Sequence, residues 1–80
     1  MVYRNTIVKA SVVTISDSAD NYFDGIRNAE SSAKNIAVQF MDGVSFTFTA
    51  IPAGEIIKCK IKKVLSSGTT STRVEGLIFE

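Results

Sequence analysis

Residues 35–51 carry the plainest pattern in the chain. In NIAVQFM (residues 35–41), Ile36, Val38 and Phe40 fall on one face of an extended chain. In VSFTFTAI (residues 44–51), Val44, Phe46 and Phe48 alternate with Ser45, Thr47 and Thr49. Successive side chains of a strand point to opposite faces, so a period of two with one apolar set predicts a half-buried strand. Asp42 and Gly43 sit between the two runs, and both residue types accept positive φ, which predicts a tight hairpin. The hairpin places Ile36, Val38, Phe40, Val44, Phe46 and Phe48 in the core.

Further strands follow on both sides. PAGE (residues 52–55) reads as a turn, with Pro52 presetting φ and Gly54 free to go left-handed. In EIIKCKIKKVL (residues 55–65), Ile57, Cys59 and Ile61 alternate with Lys58, Lys60 and Lys62. The doublet Lys62 and Lys63 breaks that period and predicts a β-bulge that returns Val64 inward. SSGTTST (residues 66–72) is a polar loop. RVEGLIFE (residues 73–80) reads as a closing strand, with Val74, Gly76 and Ile78 on one face and Leu77 and Phe79 on the other. Apolar residues on both faces predict an inner strand or one covered by a neighbour. NTIVKASVVTI (residues 5–15) is rich in β-branched residues and reads as a strand.

Residues 16–35 have two readings. Tyr22, Ile26, Ala29 and Ala33 fall near helical spacing, with Ser18 as a cap. Against a helix stand Gly25 and many Asn, Asp and Ser residues that compete for backbone hydrogen bonds. A loop leading into a short strand over residues 25–29 is favoured. Short strands at close spacing predict an all-β fold, a small antiparallel β-sandwich or jelly-roll-like barrel. Residues 1–80 form a single β domain in this reading, with residues 1–5 as a candidate N-terminal arm.

Size changes the picture. A chain of eighty residues buries only about 60–65% of its unfolded surface and is marginally stable on its core alone. The usual reinforcements are disulfides, a metal or a partner subunit. Cys59 is the single cysteine and there is no histidine, which excludes an internal disulfide and the usual zinc spacings. Association is what remains. Net charge is +1, so no global field draws the chain to nucleic acid or an anionic membrane. MVYRNTIVKA (residues 1–10) lacks the apolar core of a signal peptide, and no run approaches the roughly 18 residues of a membrane span. A soluble protein made in a cytosol is expected.

Candidate chemistry is sparse. Asp17, Asp20 and Asp24 could offer oxygens to calcium, but they lack the regular ligand spacing and closing Glu of an EF-hand, and a solvated turn is favoured. A Ser or Cys59 nucleophile would need a base that a chain without histidine does not readily supply. Cys59 alternates with isoleucines and reads as a small core residue. No enzyme activity and no cofactor are expected. Lys58, Lys60, Lys62 and Lys63 form the one local charge concentration. Such a stripe could track a phosphate backbone if aromatic platforms lay beside it. With Phe40, Phe46 and Phe48 read as inward, a solvated strand face that discourages edge aggregation is favoured. Binding of single-stranded nucleic acid through these lysines remains the alternative function.

The C-terminal half resembles a family of small phage and gene-transfer-agent virion proteins, the head spike base proteins and related capsid decoration subunits. The residues that carry the resemblance are DGVSFTFTAIPAGEII (residues 42–57) and KKVLSSGTTSTRVEGLIF (residues 62–79). SDSADN (residues 16–21) and IRNA (residues 26–29) are similar to an earlier segment of that family. Where the family tends to be glycine-rich, this chain has AESSAKN (residues 29–35). The resemblance implies a structural virion protein on the head surface, a decoration, cement or spike-base subunit in symmetric oligomers. Its implied partners are its own copies and the major capsid protein or a spike or fibre protein. Apolar residues with no inward place to go mark the expected subunit interface: Val2, Tyr3, Ile7, Leu77 and Phe79. Tyrosine suits such a role because it combines area with a polar tip. The alternative is that the N-terminal segment folds back over the closing strand of the same chain.

Overall fold

The computed structural model describes residues 6–80. Every regular element among them is a strand: β1 (Ile7–Val12), β2 (Phe23–Asn28), β3 (Lys34–Phe40), β4 (Ser45–Ile51), β5 (Ile56–Leu65) and β6 (Val74–Phe79). They form one antiparallel sheet in the order β1-β6-β2-β5-β3-β4. The all-β fold read from the sequence is therefore the fold observed. The molecule measures 37 × 28 × 18 Å. Packed sheets stand about 10 Å apart, so the shortest dimension holds two backbone layers, and the sheet curls on itself like a small barrel.

The β3–β4 hairpin shows how pattern sets register. Phe40 N donates to Val44 O at 2.8 Å, and Gly43 N donates to Phe40 O at 3.0 Å. The loop is thus three residues long, a turn closed by one left-handed residue, and Gly43 holds that place at φ +91°. Asp42 does not need positive φ; its Oδ1 accepts a hydrogen bond from Val44 N at 3.0 Å. A two-residue loop would set Val38 opposite Thr47 and mix the faces. The longer loop sets Val38 opposite Phe46 and Ile36 opposite Phe48, which keeps apolar with apolar.

The core runs through Ile26, Ile36, Val38, Ile61, Val64 and Val74, each at most 1% exposed. Phe40, Phe48, Ile57 and Cys59 pack against it half-buried. Val44 and Phe46 depart from expectation, at 57% and 54% exposed. The face is the expected one, since directly opposed residues share a face and Phe46 opposes buried Val38. The cover is missing, because β4 is the outermost strand and no layer lies over it.

The bulge expected at the lysine doublet is present. Gln39 pairs with Lys63 and Phe40 with Ile61, which leaves Lys62 as the extra residue and turns Val64 into the core. Residues 16–35 follow the loop-and-strand reading, with β2 two residues earlier at its start. The first strand stops at Val12, short of Ile15. The chain then crosses the sheet end: Val13 N donates to Val74 O, Ser16 N to Val64 O and Asn21 N to Lys62 O. This crossing buries Val13 and half-buries Ile15.

β6 is an inner strand, buried on both faces as its composition predicts. On one face Gly76 makes room for the ring of Phe23; on the other, Gly25 makes room for Phe79. Asn28 closes the far end of β2. It is fully buried, its Nδ2 donates to Ile51 O at 2.8 Å and Ser32 O at 3.0 Å, and its Oδ1 accepts from Glu30 N at 3.0 Å.

Candidate assembly surfaces

The sheet has two open edges, and they are unlike. Among the described residues, β1 pairs with β6 alone and β4 with β3 alone. All six residues of β1 are exposed, including Ile7, Val8 and Val12. At the other edge Val44, Phe46 and the neighbouring Met41 are exposed. The ring of Phe46 stands edge-on to Phe48 at 5.0 Å, and Phe48 edge-on to Phe40 at 6.4 Å, a geometry aromatic pairs favour. Beside them lies an apolar groove of about 380 Å³, bounded also by Ile57 and Pro52.

β4 ends in a kink. Its register against β3 slips between Lys34 and Ile36, and Ala50 takes up the slip at φ +52°. A non-glycine residue in this region is uncommon. Asn35 holds it there, its Oδ1 accepting from Ala50 N at 2.8 Å.

The residues expected at an interface divide three ways. Val2 and Tyr3 lie outside the described residues. Ile7 is 43% exposed on the β1 edge. Leu77 and Phe79 are 2% and 5% exposed within the chain itself. Their pairing partners on β1 and β2, Ala10 and Gly25 for Leu77 and Ile7 for Phe79, share their face, and Lys58 Nζ sits 5.2 Å from the Phe79 ring centroid. The cover expected from a neighbouring subunit at these two residues is supplied within the chain, for Phe79 by its packing over Gly25 and under Lys58.

The lysine stripe is engaged with the fold. Lys58 caps the Phe79 ring, Lys60 Nζ lies 3.7 Å from Asp24, and Lys63 Nζ lies 3.1 Å from Asp20 and 3.4 Å from Gln39 Oε1. Lys62 is the bulged residue and adds to the positive field on Asp20. Exposed aromatics do exist, contrary to expectation: Tyr22 donates to Asp20 Oδ2 at 3.4 Å, the carboxylate that pairs with Lys63, while Phe46 shares the core face with Val38. Lys58 follows core-facing Ile57 and so points to the other face.

The three aspartates diverge. Asp17 accepts from Ser67 N at 3.1 Å and Ser67 Oγ at 2.8 Å, Asp20 pairs with Lys63, and Asp24 accepts from Phe79 N at 3.2 Å. The Ser67 bonds hold the Asp17 carboxyl below its ordinary range, and Lys63 does the same to Asp20. Glu30 makes a parallel clamp on the opposite loop, accepting from Thr72 Oγ1 at 2.6 Å and Thr72 N at 2.8 Å, which lowers its carboxyl also. These clamps join segments far apart in sequence, so no local pattern announces them. Cys59 is half-buried and desolvation pushes its thiol up to about 11, the opposite of what a nucleophile needs.

No protein-family model matches this sequence, and no curated protein does. Among solved structures, the chain is similar to one from the "Capsid of native GTA particle computed with C5 symmetry", a gene transfer agent. The two are 27% identical with a TM-score of 0.74, and the match covers 89% of this chain and 82% of that one. At this identity and coverage the likeness extends beyond strand topology, and it supports a structural virion protein.

Proposed function

We propose that this chain is a non-enzymatic structural subunit of a tailed-phage or gene-transfer-agent virion. It binds the head surface and its own copies, as a decoration, cement or spike-base protein. The likeness to a gene-transfer-agent capsid chain carries the reading. The molecule itself agrees with it: polar side chains are spent on clamping loops, and large apolar side chains are left at the sheet edges. The partners that fit are further copies of the chain and the major capsid protein or a spike or fibre protein. Nucleic-acid binding by the lysine stripe is the second reading: the exposed Tyr22 stands beside it through Asp20, but Lys60 and Lys63 are already paired with acids, and the exposed Phe46 ring lies on the face opposite Lys58.

The test is to purify intact particles, quantify the chain by mass spectrometry and label it with antibody before and after opening the heads. The expected result is a fixed copy number per particle with labelling on unopened heads. Absence from particles, or labelling only after disruption, overturns the reading. Imaging would also separate a spike base at five-fold positions from a cement subunit spread over the shell.

A further inference from the structure

We propose that successive copies join edge to edge, the outer edge of β1 in one copy pairing with the outer edge of β4 in the next. The inference rests on the reading of this chain as an assembling subunit, and names the surface that assembly uses.

An open edge strand offers a row of unpaired backbone N–H and C=O groups, and folded proteins normally guard it with charge, proline, brevity or a covering loop. β4 is SFTFTAI, seven residues with no charge and no proline, and its one guard is the kink at Ala50. β1 is IVKASV, exposed at every position, with Lys9 as its single charge. Edges this bare among the described residues invite a strand. Both edges carry exposed apolar side chains, but on opposite faces: Ile7 and Val12 share the face of Phe79, whereas Val44 and Phe46 share that of Val38, so the contact is carried by the backbone edges.

The unlike character of the edges selects the occupant and its symmetry. A two-fold contact pairs a patch with itself. It would cover β1 twice or β4 twice, and each copy would keep one bare apolar edge. A head-to-tail contact between β1 and β4 covers both edges of every copy with a single kind of interface. Charge is compatible: Lys9 is the charge on β1, and the acids Asp42 and Glu55 flank β4 at its two ends. A second copy of this chain, related by a rotation that is not two-fold, is therefore the partner.

The test uses the full chain carrying Cys59→Ala, into which Val8→Cys, Ser45→Cys or Thr49→Cys is introduced singly. Mild oxidation is applied to concentrated protein and to particles, and products are sized by mass. The expected result is cross-linked dimers when the Val8→Cys chain is mixed with a Ser45→Cys or Thr49→Cys chain. No single variant should cross-link with itself, and a ladder of multiples should form when both cysteines are on one chain. Which of the two β4 positions reacts gives the strand direction. Self-cross-linking of Val8→Cys or of a β4 variant, or no cross-link in any combination, overturns the proposal. A Phe46→Lys chain with unchanged circular dichroism should lose its oligomers; retained oligomers count against the edge. If the chain is on virions without cross-links, the edge pairing is wrong and the virion role stands. If cross-links form but the chain is absent from virions, the reverse holds.

Discussion

The ring of Phe23 lies directly over Gly76, so that a Cβ added there would come within 2.4–2.5 Å of three ring atoms, including the root carbon Cγ. The root of an aromatic ring cannot swing aside as a flexible tip can. Gly76→Ala should therefore destabilise the chain by about 1–3 kcal/mol, the range for overpacking a tight core. Gly43→Ala meets nothing within 4 Å but keeps φ at +91°, so its cost is conformational and should be about 1 kcal/mol. Urea midpoints of the two variants check the ordering, and an unchanged midpoint for Gly76→Ala would mean the ring is mobile.

Phe46→Ala should cost about 1 kcal/mol in the isolated subunit, because the residue is 54% exposed and what it loses is chiefly the edge-on contact with Phe48. Ile36→Ala removes a fully buried side chain and should cost about 2–5 kcal/mol. Thermal melts in dilute solution compare them. Equal losses would show that β4 is covered even in the single subunit.

Asn28 is the buried polar pin of the fold. Asn28→Leu leaves Ile51 O and Glu30 N without the partners they now have. The bond to Ile51 O is buried and that to Glu30 N part-buried; an orphaned buried group costs about 1–3 kcal/mol, so the variant should melt below the parent. Hydrogen exchange at Glu30 reports the same loss locally.

Acid should loosen the loops before the core. Asp17, Asp20 and Glu30 have carboxyls held below their ordinary values of 3.8 and 4.5. A lowered folded-state pKa adds stability that is fully present above the unfolded value and is lost as pH falls through the folded one. Melting temperature should thus be flat above about pH 5 and fall below about pH 4. Glu30→Gln and Asp17→Asn should flatten that fall; an unchanged acid limb in the double variant would place the titrating groups elsewhere.

Cys59 should react slowly with thiol reagents at pH 8, since burial raises its thiol to about 11 and only the thiolate attacks. Ellman's reagent with and without denaturant measures the protection. Equal rates in both would mean that β5 opens freely.

Much of this fold is legible in the sequence because period-two patterning acts locally. The alternation of Ile36, Val38 and Phe40 with Val44, Phe46 and Phe48 places β3, β4 and their common face, and the Lys62–Lys63 doublet places the bulge. The same alternation also contains the loop length, because only a three-residue turn sets Val38 against Phe46. Whether a correctly faced residue is covered is not local. It depends on strand order, and nothing near Phe46 in sequence says that β4 lies outermost while β6 lies inside. The clamps of Asp17 on Ser67 and Glu30 on Thr72 are hidden for the same reason: 50 and 42 residues separate the partners.

The position of β6 between β1 and β2 has a consequence for synthesis. β6 is made after both strands it separates, so an emerging chain holds β1 with no partner in the sheet and β2 paired on one side only. The sheet cannot be completed in the order in which it is made. Bringing β1 to β6 joins the most distant parts of the described chain, and the loop-closure entropy of such pairings is what slows all-β folding. During that interval the uncharged β4 edge and the unpaired β1 are exposed together in a crowd of identical chains. High expression should therefore favour mispaired aggregates over folded subunits, and lowering the number of chains made at once should raise the yield of soluble chain.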